Sequence, residues 1–177
     1  MRAESLVWEL LGIPLIFSSG SALHFAFGWC GRTPLVAPFA AVNESVWEHL
    51  KLAFWPSVAY AAVEYMAFGK DTASFATAKS TGILLMPICI VLLFYSYKAL
   101  VGHHVLWLDI LIFLVAVSAG QTISCLLMAA GPADTSRGWV GVLAVALLGV
   151  SLAFLTFSPP RLPLFRDSVT GRYGLQM

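Results

Sequence analysis

Between Asn43 and Lys51 the chain reads NESVWEHLK, placing two glutamates, a histidine and a lysine inside an otherwise apolar stretch. Imidazole and carboxylate are ligands that zinc accepts, and catalytic zinc sites hold the ion with three protein groups and leave a fourth position to water. Residues of that chemistry are His24, His49, His103 and His104 as metal ligands, with Glu48 or Glu44 as general base. A second polar series, Tyr60, Glu64, Gln121 and Asp109, is of the kind that lines a ligand or proton pathway through a helical bundle. No HExxH string, nucleophile elbow or phosphate-cradling glycine loop is present. The plainer reading is anchoring: polar helix ends beside Trp29, Trp47, Trp55 and Trp107 make an interfacial belt.

The elements that must position these groups follow from composition. The chain is 59% hydrophobic and 11% charged, against about 25% charged in soluble domains. Each membrane pass needs roughly 20 apolar residues, so 177 residues allow a handful of spans and no large soluble domain. The expected fold is all-α, an integral membrane bundle of about five transmembrane helices over residues 5–29, 45–68, 75–100, 104–130 and 139–157. The bundle fills residues 1–158, and the polar, proline-interrupted tail, 159–177, is too short to fold alone. The first run reads as a retained span rather than a cleaved leader, because Glu4 and Glu9 accompany Arg2 and the apolar stretch continues to Trp29. Residues 31–42, with Pro34 and Pro38, are too few to span and read as an interfacial connector. Ser45 and Glu48 have capping-box spacing, Pro87 predicts a bend, and Gly131, Pro132, Asp134 and Gly138 predict the last loop.

Alternating passes bring His24, the connector, the start of the second helix, the His103–His104 turn and the tail to one membrane face. On the second helix Ser45, His49, Pro56, Tyr60 and Glu64 form a polar stripe, with Glu48 to one side, near the headgroups, in reach of Lys51. Glu64 lies deep enough to need a partner or a proton, and Lys79 is the nearest cation. On the fourth helix His103, His104, Trp107, Ser118, Gln121, Thr122 and Cys125 share an arc that should face the interior, while Asp109 points elsewhere, to the connector or the first helix. Arg32, Lys51, Lys98, Arg161, Arg166 and Arg172 outnumber Arg2, Lys70, Lys79 and Arg137 across the membrane, which favours a cytoplasmic C-terminus. A formal charge of +1 without a basic cluster argues against nucleic acid, and the three cysteines lack any CxxC spacing. The partners expected are the lipid bilayer of the cell membrane and a small polar or amphiphilic ligand.

The strings NESVWEHLKL and PLFRDSVTGRYG, with Tyr60, Glu64 and the GHH turn, resemble a family of small prokaryotic multi-pass membrane proteins known as a domain of unknown function. The resemblance implies a polytopic protein of the cell membrane; it brings no activity and no active residues. From the residues themselves, the leading expectation is a polar pocket at one membrane face, holding zinc or another divalent metal for hydrolysis of a lipid or amphiphile. The alternatives are a small-solute or proton-coupled transporter, and a non-catalytic scaffold or assembly factor that docks through its tail.

Overall fold

Backbone groups in hydrocarbon must be satisfied within their own segment, which leaves helices as the natural answer to a chain this apolar. The computed structural model describes residues 3–131 and 135–175 and consists of α1 (Ala3–Trp29), α2 (Val46–Ala67), α3 (Phe75–Val101), α4 (Leu106–Ala129) and α5 (Thr135–Phe157). Short 3-10 turns cover Gly69–Asp71 and Pro163–Phe165, and an isolated bridge pairs Arg166 with Tyr173. The helices begin and end close to the expected bounds. The exception is α5, which starts before Gly138; that glycine is buried in the helix against Ala76 rather than lying in a loop. Pro132 and Asp134 of the expected loop, and Arg2 of the charge count, lie outside the described residues.

α1, α3, α4 and α5 are each long and apolar enough to cross a membrane. α2 is different in kind, because it buries Glu48, Lys51, Ser57 and Glu64 and depends on the other helices for an apolar exterior. It lies antiparallel to α1, with Trp8 near Tyr60 and Phe68 at one end and His24 beside His49 at the other. Ser57 donates to Met86 Sδ across the α2–α3 contact, and α5 packs Gly149 on Phe54. Ile16, Ala53, Phe54, Met86, Val117 and Leu152 fill the middle of the bundle with essentially no exposure.

A close backbone approach joins α3 to α4. A Cβ added to Gly82 would stand 2.5 Å from the Gly120 carbonyl oxygen, so two glycines let the helices meet without side chains between them. α3 ends at Gly102, whose φ of 84° places it in the left-handed region while its N–H caps Lys98 O, a conformation glycine adopts without steric cost. The polar arc foreseen on α4 divides. Gln121 and Cys125 are buried with Gly120 and Ser124, whereas Trp107 is exposed, and Ser118 and Thr122 line an outward groove of about 620 Å³ with Leu85, Val115 and Leu126. The cause is that α1 and α3 clasp a stripe centred on Gly120 and Gln121, which leaves the edge of the arc uncovered.

Gly82→Val should cost about 1–3 kcal/mol through overpacking against Gly120. Gly28→Ala, whose added Cβ meets nothing within 4 Å, should leave stability unchanged or slightly raised. Equilibrium unfolding of both variants in detergent checks the contrast.

Candidate functional site

The site begins with the start of α2. Ser45 is extended, with φ −82° and ψ 152°, and its Oγ accepts the Glu48 N–H at 3.3 Å, while Asn43 Oδ1 accepts the Ser45 N–H at 2.9 Å. Glu48 does not complete the capping box. Its Oε2 accepts from Lys51 Nζ at 2.6 Å and from the Val42 N–H at 3.1 Å, and its Oε1 accepts from Thr156 Oγ1 at 3.1 Å. Lys51 donates in addition to the carbonyls of Ala37 at 2.8 Å and Ala40 at 3.2 Å. The foreseen Glu48–Lys51 pair therefore exists, but in the interior and not among headgroups, since neither residue exceeds 2% exposure. This also corrects the expected role of Glu48 as a general base: a carboxylate enclosed by an ammonium, an amide and a hydroxyl has no route to a substrate proton. Trp55 Nε1 donates to Pro38 O at 2.9 Å, so the proline-rich connector is held from two successive turns of α2.

On this foundation three groups converge. His24 Nε2 and His49 Nε2 are 3.2 Å apart, and Glu44 Oε2 lies 3.7 Å from the first and 3.4 Å from the second. Among the described residues these three form the group of His, Cys, Asp and Glu side chains close enough to share an ion. Bonds of about 2.0–2.2 Å around a tetrahedral zinc separate its ligands by roughly 3.3–3.5 Å, which is the size of this triangle. His49 Nδ1 donates to Ser45 O at 2.8 Å, and that bond leaves the Nε2 lone pair of the neutral ring directed at the triangle. Two ring nitrogens and a carboxylate oxygen thus stand within 3.7 Å of one another, close enough to share an ion. The His24 and His49 rings hold the Glu44 carboxyl well below the usual carboxylate range. Each side chain remains a third to a half exposed, which leaves the centre open to water.

Glu44 belongs to a loop, and the C-terminal segment fixes it there. Ser168 donates to Glu44 O from its N–H at 3.3 Å and its Oγ at 3.0 Å, and Asn43 Nδ2 donates to Gly174 O at 3.0 Å. The Phe165 ring packs on Trp47 at 4.6 Å between centroids. Asp167 Oδ1 accepts the N–H groups of Val169 and Thr170, folding the segment back so that Arg166 bridges Tyr173. The tail therefore has a defined structure that it borrows from the bundle.

The remaining predicted residues lie outside the triangle. His103 is exposed. His104 Nδ1 meets Asp109 Oδ2 at 2.8 Å, and Asp109 Oδ1 accepts from Tyr97 OH at 2.5 Å. Asp109 therefore turns to α3 and to the preceding turn, not to the connector or α1, with Tyr97 as its partner.

Tyr60, Glu64 and Gln121 gather at the other end of the bundle. Lys79 Nζ pairs with Glu64 Oε2 at 2.5 Å, as anticipated, and also with Glu9 Oε1 at 2.6 Å. Ser124 Oγ donates to Glu9 Oε1 at 2.8 Å, Gln121 Nε2 to Glu9 O at 3.4 Å, and Tyr60 OH to Trp8 O at 2.6 Å. His49 and Glu64 are about 22 Å apart along α2, and the interval is filled by Ile16, Ala53, Phe54 and Met86. A continuous polar path between them is interrupted by that layer. Glu9 was legible as a charge in an apolar run, but nothing along the chain pairs it with Lys79; Thr156 and Ser168 carry no sequence signal of their roles at all.

A family model described as a family of unknown function, DUF6512, matches residues 2–175. No curated protein and no solved structure matches the chain.

Lys51→Ala should cost about 3–5 kcal/mol, because it leaves Glu48 buried without its cation. The double replacement Glu48→Leu with Lys51→Met should recover most of that loss. Denaturant titration in detergent measures both.

Proposed function

The chain belongs to this family of unknown function, and we propose that it is a membrane protein carrying a divalent transition-metal centre at one membrane face, with zinc held by His24, His49 and Glu44. The observation that carries this reading is the convergence of two imidazole Nε2 atoms and one carboxylate oxygen at 3.2–3.7 Å, with the His49 tautomer set by Ser45 O. Glu44 serves as a ligand here instead of the general base, since its oxygen is one corner of the triangle. Zinc with three protein ligands supplies an activated water and polarises an ester or phosphoryl oxygen, which makes metal-assisted hydrolysis the reaction class.

An amphiphile fits the surroundings. Phe25 and Trp29 stack on each other, with the Phe25 ring 5.0 Å from that of His24, and Trp29 and Leu35 are largely exposed. Those are residues suited to the boundary between headgroup and chain, where lipid ester and phosphodiester linkages lie. The basic excess around this end, in Arg32, Lys98, Arg161, Arg166 and Arg172, favours the cytoplasmic side.

Metal analysis of the purified protein at neutral pH should return one zinc per chain, lost in His24→Ala and His49→Ala and retained in His103→Ala. Absence of zinc from the unaltered protein after incubation with zinc and desalting sinks the metal centre. Because protons compete with a metal ion for imidazole lone pairs, zinc should be released progressively as the solution is acidified. Ser168→Ala, which loosens Glu44 without touching a ligand atom, should weaken zinc binding by about 10–100-fold. Zinc-dependent cleavage of an ester-linked amphiphile in mixed micelles tests the chemistry separately: bound zinc without cleavage keeps the metal site and discards the hydrolase.

A further inference from the structure

At the opposite end of the bundle, Glu9 of α1, Glu64 of α2 and Lys79 of α3 meet with side chains no more than 6% exposed. The count of charges is unequal, with two carboxylates and one ammonium. Among the described residues Lys79 is the one cation acting on either carboxylate. Its ammonium lies 2.6 Å from Glu9 Oε1 and 2.5 Å from Glu64 Oε2 as an ion pair without hydrogen-bond geometry, while Glu9 Oε2 and Glu64 Oε1 are buried with neither contact. An excess negative charge and two orphaned acceptors are both costly in a buried site, and a single proton shared between those oxygens relieves both.

The neighbours do not supply that relief. Tyr60, facing the cluster from α2, has committed its hydroxyl to Trp8 O and offers Lys79 only its ring, 5.9 Å away. From α4, Ser124 donates to the Glu9 oxygen already held by Lys79, and Gln121 donates to the Glu9 main chain. Cys125 on α4 lies within electrostatic reach of Glu9 and Lys79 and brings no positive charge. A polar cavity of about 200 Å³ lined by Ser5, Asp71, Thr72, Ser74, Met128 and Gly131 opens at this end. Ser5 is one helical turn from Glu9, and Met128 one turn from Ser124. The packed layer of Ile16, Ala53, Phe54 and Met86 closes the route in the other direction.

We propose that Glu9, Glu64 and Lys79 form a proton-binding site, in which the two carboxylates share one proton, loaded through the Ser5–Ser74 cavity from the face opposite the histidine triangle. The site stands on its own charges and is independent of the metal reading. Infrared spectroscopy of the protein in lipid nanodiscs at neutral pH should detect a protonated-carboxyl C=O band that disappears in Glu9→Gln and in Glu64→Gln alike, because either change leaves a balanced pair with Lys79. Lys79→Gln should strengthen the band by adding a second protonated carboxyl; should that variant fail to fold, the two glutamine variants, each retaining a neutral pair, carry the test. Transfer of the unaltered protein to D₂O should shift the band, as the cavity admits water. Persistence of the wild-type band in both glutamine variants, or its absence from the wild type, overturns the site. Loss in only one variant identifies a lone acid and overturns the shared proton, and a band that D₂O does not move overturns the loading route.

Discussion

Lys51 has no contact with solvent, and the directions of its three protons decide the layout of one end of the molecule. One goes to Glu48 and two go to carbonyls of the connector. Burying such a pair seldom adds net stability compared with an apolar replacement, because desolvation offsets the attraction. What it supplies is placement. Ammonium protons and carboxylate lone pairs have fixed directions, so the connector, the start of α2 and the end of α5 are tied to one another at Glu48 and Lys51. Glu44 and His49 stand on either side of that junction, and their separation across the triangle follows from it.

The same economy governs the whole bundle. A charge in hydrocarbon must be turned inward and matched, and the chain does this at two levels with an apolar layer between them. α2 takes part in both centres, which explains why, among the long helices of the described residues, it is the one whose composition falls short of a membrane span. Its insertion is a property of the assembled protein: α1, α3, α4 and α5 present the lipid-facing side chains, and α2 carries the polar contacts that select their register. Glu9 with Glu64 and Lys79, and His24 with His49, fix α1 against α2 at both ends.

Much of this was readable along the chain because helical periodicity and hydropathy are local properties. The five helices, the shared membrane face of His24, Glu44 and His49, and the Glu64–Lys79 pair all follow from spacing and alternation of passes. Depth and partner choice do not. Spacing shows that Lys51 can reach Glu48, yet only the connector folding over both makes the pair buried and removes Glu48 from chemistry. A helical wheel likewise assigns Ser118 and Gln121 to one arc of α4, but the position of α1 and α3 around it decides that Gln121 is enclosed and Ser118 faces outward. The contribution of Glu9 was hidden for the same reason, since its partner comes from a helix 70 positions later.

The two strings that carry the family resemblance turn out to touch. Trp47 packs on Phe165, Asn43 holds Gly174, and Ser168 holds the main chain of Glu44. Each string alone is incomplete: a loop carboxylate has no helix to restrain it, and a tail this short has no core of its own. Joined, the tail supplies the donors that orient Glu44, and the loop supplies the surface on which the tail folds. A sequence with the first string and without the second would keep both imidazoles but leave the carboxylate of Glu44 free to swing away from them. The pairing of the strings thus holds the triangle in place, and it accounts for Asn43, Asp167 and Ser168 as structural residues without assigning chemistry to them.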